Sequence, residues 1–280
     1  MATRIYLLTV GESESMYLEA YGLLLSLLAQ GKIEDCPILI GTDHPGRYAL
    51  FENRVSTCRI TTEDFDSWRG RHNFFGRAKL VGFRELVGDA DREHALLLDS
   101  DMICRKPVDD LLTGLSSGHA YMHTCEGVLS QRKGGAHLRF YRQFADRAYG
   151  TLTVDSTSAM WNSGVVGIPR HLLGIIDEAL ATYDALMEED ADYHFVEQFA
   201  LGAHLQASGR LQQAEPWFLH YWGNKPGVQS RLAELVEAIR SDGLDLTSAT
   251  QLMHSQLVAG RFDLPPVIKR RRWYQKMFSG

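Results

Sequence analysis

The chain has 280 residues, 45% hydrophobic and 10% aromatic, enough to bury a sizeable core in one α/β domain. Its 29 basic and 35 acidic side chains give a formal charge of -6, which supplies no whole-protein field for nucleic acid. Cys36, Cys58, Cys104 and Cys125 form no C-x-x-C pair, and the first apolar run is too short for a signal peptide or a membrane span, so a cytoplasmic protein with reduced thiols is expected.

An apolar run over 5–10, closed by Gly11, predicts a first strand, and helical spacing over 16–28 predicts the helix after it. Residues 37–40, closed by Gly41-Thr42-Asp43, read as a second strand, and 55–60 as a weaker third. Helical periodicity over 77–87 is broken by Gly88-Asp89-Ala90-Asp91, and the apolar run 95–98 then enters Asp99. Further strands and helices follow: a strand over 165–168 and helices over 171–187, 195–205 and 231–239. This alternation predicts a Rossmann-like, mostly parallel sheet flanked by helices in a single domain, residues 1–265, with its ligand crevice beyond the carboxyl ends of the strands. After Pro265-Pro266 the composition changes. Residues 266–280 carry the basic, aromatic run Lys269-Arg270-Arg271-Arg272-Trp273-Tyr274-Gln275-Lys276, which reads either as a solvated end or as a peripheral contact with the inner face of an anionic membrane.

Asp99-Ser100-Asp101 places two carboxylates at the end of a buried strand, where the crevice is expected. Hard divalent cations favour carboxylate oxygens and share their remaining positions with phosphate oxygens. Two aspartates at a strand end are also a common solvated turn, so the triplet gains weight only from its company.

That company resembles the retaining GT-A glycosyltransferases of family 8, which include glycogenin and the bacterial lipopolysaccharide galactosyltransferases. Leu8-Thr9-Val10, Tyr17 and Gly22-Leu23-Leu24-Leu25-Ser26-Leu27 are similar to the family's first strand, nucleobase loop and first helix. Ala78-Lys79-Leu80 resembles its threonine-lysine-leucine helix, and Leu97-Leu98-Asp99-Ser100-Asp101-Met102-Ile103 its metal strand. Trp161-Asn162-Ser163-Gly164-Val165, Glu197-Gln198 and His220-Tyr221-Trp222-Gly223-Asn224-Lys225-Pro226 resemble three later elements, in the family's order.

The resemblance implies the GT-A fold and transfer of a hexose, with retention, from a UDP-sugar to a glycan, a lipid-linked or a protein acceptor. It implies a divalent cation on Asp99, Asp101 and His220. Two carboxylates and an imidazole favour Mn2+ over Mg2+. It places Thr9, Val10, Tyr17, Lys79, Ser100, Gly223 and Lys225 around the nucleotide, with the lysines meeting phosphates as point charges. Asn162, Glu197 and Gln198 fall along the donor sugar as catalytic candidates. Three departures stand out: the segment between Gly223 and Lys225 is one residue short and no Trp follows Pro226, Glu197 replaces Asp, and a longer segment before Asp99 makes Arg84 a competing phosphate or sugar contact.

His119, His123, Cys125 and Glu126 cluster in sequence but match no zinc spacing, and packing is their expected role. Neither G-x-G-x-x-G nor a Gly-Lys-Ser/Thr loop follows the first strand, which argues against dinucleotide and P-loop enzymes. The alternative from another class is a GT-A-like module that binds nucleotide sugar or glycan without turnover.

Overall fold

The computed structural model describes residues 2–265 apart from 32, 34, 35, 89–92 and 192. The basic segment 266–280, with its expected membrane contact, lies outside the described residues. In chain order the elements are β1 (Thr3–Thr9), α1 (Glu14–Ala29), β2 (Ile38–Thr42), β3 (Val55–Arg59), α2 (Thr62–Trp68), α3 (Phe75–Val87), β4 (His94–Leu98) and β5 (Met102–Cys104). There follow α4 (Asp109–Ser116), β6 (Ala120–Val128), α5 (Gly135–Phe144), a small hairpin of β7 (Ala148–Tyr149) and β8 (Leu152–Thr153), and β9 (Ala159–Ile168). The chain continues through α6 (Ile175–Glu188), α7 (Val196–Ala207), β10 (Leu211–Gln213), β11 (Phe218–His220), α8 (Lys225–Ser241) and α9 (Leu246–Val258).

Seven strands form one sheet in the order β10-β6-β9-β4-β1-β2-β3. Only the pairings of β9, with β4 and with β6, are antiparallel. The expected mostly parallel sheet is therefore present, with one reversed strand. All five residues of β4 are buried, which explains its uninterrupted apolar sequence, since a central strand covered on both faces has no solvent side. Ala95 and Leu97 point into a core shared with α3, α5, α6 and α7, while Leu96 and Leu98 point into one shared with α1, α4, α8 and α9. Burying each leucine contributes roughly 1.5–3 kcal/mol.

β1 pairs with β2 so that Thr9 faces Thr42, and β4 lies on its other side with Leu97 opposite Tyr6. Asp99 thus leaves the sheet at the carboxyl edge beside the loop that follows Thr9. Beyond it, β5 pairs antiparallel with β11, in a register that sets His220 opposite Met102. Helix α1 lies over this ribbon, and Ser26 Oγ accepts the Cys104 N–H at 2.9 Å while donating to the Leu23 carbonyl at 2.8 Å.

Two of the predicted helices differ from expectation. The helix predicted over 171–187 divides into a 3-10 turn, Arg170–Leu172, and α6, with Gly174 between them. Helix α8 begins at Lys225, six residues before the predicted start, with Pro226 in its first turn, where a missing N–H leaves no helical bond unmade. Among the described residues no helix is long and apolar enough to cross a membrane.

Helices α1 and α8 touch where Gly22 meets Leu232; a methyl group on Gly22 would lie 2.5 Å from Leu232 Cδ2. Leu232 is fully buried and has little space to yield. Gly22→Ala is therefore expected to destabilise the protein by about 1–3 kcal/mol in urea denaturation, with part of the loss recovered on adding Leu232→Ala.

Candidate active site

A cavity of about 310 Å3 opens at the carboxyl ends of β1 and β4. Its lining combines apolar and aromatic residues, among them Leu8, Val10, Phe65 and Phe75, with the charged residues Lys79, Asp99, Asp101, Glu19 and Lys225. Phe75 is 60% exposed although it packs edge-on against Phe65 with ring centres 5.6 Å apart, so an aromatic face is left towards solvent at the mouth.

Ligand atoms from Asp99, Asp101 and His220 lie within 4.8 Å of one another, and these three residues can hold one metal ion. The detail of His220 suits that use. Asn162 Oδ1 accepts the Gly164 N–H at 3.0 Å, which fixes the oxygen end of the amide, and the same oxygen lies 2.9 Å from His220 Nδ1. The ring proton therefore belongs on Nδ1, and the lone pair of Nε2 faces Asp101 Oδ1 at 3.3 Å. Two acceptors at that separation need a cation or a second proton between them. Burial by itself would raise the Asp101 carboxyl, but the bond and charge of His220 and the Lys225 ammonium outweigh it and hold the group well below the usual carboxylate range. Asp101 is thus ionised and available as an oxygen ligand.

Lys79 is buried. Its Nζ lies 2.8 Å from Asp99 Oδ1 and 3.5 Å from Glu197 Oε1, and donates to the Ser163 carbonyl at 3.0 Å. Burial favours loss of its proton, but the Asp99 and Glu197 carboxylates reverse the effect and keep it charged. Glu197 lies behind it, off the cavity wall, held at its second oxygen by Ser163 Oγ at 3.0 Å; burial raises its carboxyl and Lys79 opposes the rise. Gln198 is half-buried and, among the described residues, outside this network.

The remaining candidates are dispersed. Val10 and Ser100 line the cavity with Lys225, while Gly223 lies in a 3-10 turn, Trp222–Asn224, just before α8. Thr9 Oγ1 pairs with Tyr48 at 2.8 Å inside the core. Tyr17 lines a separate groove between α1 and α8, its hydroxyl donating to Gly11 O at 3.0 Å and Asp43 Oδ1 at 2.9 Å, with the Arg47 guanidinium 4.3 Å from its ring centre. Arg84 pairs with Glu85 and Asp177 on the surface and does not line the cavity. His123 is buried with Nε2 3.2 Å from the Phe218 carbonyl and edge-on to His220; burial and the His220 charge lower it to about 4. It packs, as expected.

Three contributors were not singled out in the sequence: Glu19, Ser163 and the Phe65–Phe75 pair. Glu19 carried a legible signal, a lone carboxylate on the apolar face of Leu18-Glu19-Ala20-Tyr21-Gly22-Leu23. Ser163 carried none, because its role depends on where α3 and α7 deliver Lys79 and Glu197.

No protein-family model and no curated protein matches this sequence. Solved structures do share its architecture. The galactosyltransferase LgtC, crystallised with donor and acceptor sugar analogues, is 15% identical over 76% of this chain and 73% of its own, with a TM-score of 0.51. The bifunctional glycosyltransferase WbbM is 11% identical over 76% of this chain and 38% of its own, also at 0.51. The glycosyltransferase GlyE of Streptococcus pneumoniae is 11% identical over 93% of this chain and 64% of its own, at 0.50. With the sheet order described above, this likeness gives the chain the GT-A fold expected from its sequence.

Two predictions follow from the geometry. A methyl group on Gly164 would lie 2.8 Å from His220 Nδ1 and 3.1 Å from Asn162 Oδ1, so Gly164→Ala is expected to displace the imidazole and weaken Mn2+ binding by about 10- to 100-fold in direct metal titration. The second concerns the loop after β1, where Gly11, at φ 111°, donates its N–H to Asp43 Oδ2 at 2.9 Å. Burial would raise the Asp43 carboxyl, but the Tyr17 hydroxyl, the Gly11 N–H and Thr62 hold it below its ordinary value. A depressed folded-state pKa stabilises the fold above the unfolded value of about 4, and the contribution is lost as pH falls through the folded value. Asp43→Asn should cost about 1–3 kcal/mol at pH 7, and its difference from wild type should narrow in denaturation curves below about pH 4.

Proposed function

We propose that this protein is a glycosyltransferase that moves a hexose from a UDP-linked donor to a glycan, lipid-linked or protein acceptor, with a divalent cation and with retention. The observation that carries the reading is the convergence of Asp99, Asp101 and His220, two of which line a cavity with both aromatic and charged walls. A nucleoside suits the aromatic residues and a diphosphate the charged ones.

Held by these three residues, a divalent cation supplies the positive charge that a departing diphosphate requires. Asn162 orients His220 for this from behind, and Lys79 fixes the Asp99 carboxylate. Lys225, half-exposed and lining the cavity, is the ammonium best placed to turn towards phosphate oxygens. Mn2+ is the cation we favour, because imidazole suits softer transition ions. Retention is supported by the cavity's own acids: Glu19, Asp99 and Asp101 are each already paired with a lysine or a histidine, so none is free to take the proton of an acceptor hydroxyl attacking the opposite face of the sugar.

Calorimetric titration of UDP into the protein tests the reading. Binding is expected with Mn2+, and is expected to disappear with EDTA and in Asp101→Asn. Incubation with UDP-hexoses and Mn2+, without acceptor, should then release sugar slowly. Tight UDP-sugar binding with no release and no transfer would leave a binding module, and absence of UDP binding under every condition would overturn the proposal.

A further inference from the structure

Glu19 is given no contact with cation, nucleotide or sugar above, yet among the described residues it is one of the most completely buried acids, 2% exposed on the inner face of α1. Its neighbours on that face are Ala20, Leu23, Leu24 and Leu27. Burying a carboxylate among them is costly unless it is fully partnered. Its partners come from two directions. Gln229 of α8 donates to Oε1 at 2.7 Å and Ser100 donates to Oε2 at 3.4 Å. Lys225 Nζ lies 3.3 Å from Oε1 and 3.2 Å from Asp101 Oδ2, between the two carboxylates.

A structural role alone does not account for this choice. One turn further along, α1 and α8 are joined by the apolar contact of Gly22 with Leu232, and a second such contact would join them without burying charge. What an apolar residue at position 19 would not do is offset Lys225. Around the cavity, Glu19, Asp99, Asp101 and Glu197 face Lys79 and Lys225, so each ammonium is bracketed by two carboxylates. The carboxylates thus outnumber the ammonium groups, and neither ammonium is without an acidic partner. Such a cluster attracts a divalent cation and repels a diphosphate.

We propose that Glu19 is a positioning residue that holds Lys225 against Asp101 and cancels its charge, so that a nucleoside diphosphate enters only after the cation. The inference rests on the function proposed above and adds to it an order of loading. When Asp101 is engaged by the cation, Lys225 keeps Glu19 as its anchor and turns its remaining N–H donors to the phosphates. Glu19→Gln preserves shape and the Gln229 contact but removes one negative charge, and so should relax the order.

The test is a set of binding measurements that need no turnover: Mn2+ affinity without nucleotide, followed by the free-ion spin-resonance signal, and UDP affinity by calorimetry in EDTA and in saturating Mn2+. In Glu19→Gln, Mn2+ affinity should fall and UDP affinity in EDTA should rise, each by about tenfold, the scale for one unit charge acting through a partly solvated site. UDP affinity in saturating Mn2+ should change little. Lys225→Gln removes the positive charge that Glu19 is held to cancel and should move both quantities the other way, a readout that stands even if Glu19→Gln folds poorly. Glu19→Asp, which keeps the charge, should retain the wild-type order. Loss of structure would lower both affinities together, so opposite movements would establish the role. Parallel losses, or no change in both variants, would overturn it. A wild-type protein that binds UDP with Mn2+ while Glu19→Gln behaves identically would remove this inference alone; a wild-type protein that binds neither ligand would remove the functional reading beneath it.

Discussion

The pairing of β5 with β11 is the contact on which the site depends. Each strand has three residues, yet their register fixes His220 opposite Met102 and so beside Asp101, more than a hundred positions earlier in the chain. Met102, Ile103 and Cys104 are fully buried, and α1 covers them with a side-chain bond from Ser26 to the Cys104 N–H. The ribbon lies outside the main sheet. It is held by what packs on it rather than by a long ladder, so the geometry of Asp101 and His220 is coupled to the seating of α1 and α8.

That coupling explains the polar residues inside an otherwise apolar interface. Ser26 and Glu19 lie on the covered face of α1, one secured to the ribbon and the other to Ser100 and Lys225. On the opposite side of the triplet, α3 and α7 deliver Lys79 and Glu197 to Ser163 and Asp99. Buried ion pairs contribute little net stability compared with apolar packing, because desolvation offsets their attraction. Their concentration at the carboxyl edge of the sheet, with apolar packing elsewhere, indicates that they shape the electrostatic field of the cavity.

The segment Trp161-Asn162-Ser163-Gly164 shows how several functions are compressed into one strand. Asn162 fixes the His220 tautomer, Ser163 joins Lys79 to Glu197, and Gly164 leaves space for the imidazole while its carbonyl accepts the Asp99 N–H at 2.9 Å. Because such polar and small residues interrupt the apolar pattern, only 165–168 read as a strand, although β9 spans Ala159–Ile168. The same reason hid β6, whose partner is this irregular stretch, with register shifts on either side of Thr124 and Cys125.

The sequence by itself determined β1, α1, β2, β3, α3 and β4, whose periodicity or unbroken apolar runs leave one reading. It also placed the Asp99-Ser100-Asp101 triplet at a strand end, and family-like spacing pointed to His220 and Lys225. These features are local, and local patterns are carried by side-chain type and order. Tertiary structure alone decided that Lys79 is wedged between Asp99 and Glu197, that Tyr17 braces the Asp43 loop in a groove apart from the cavity, and that Glu19 grips Lys225. Each depends on distance across elements that are far apart in the chain, where the balance of desolvation and Coulomb attraction is set by neighbours that residue order does not specify.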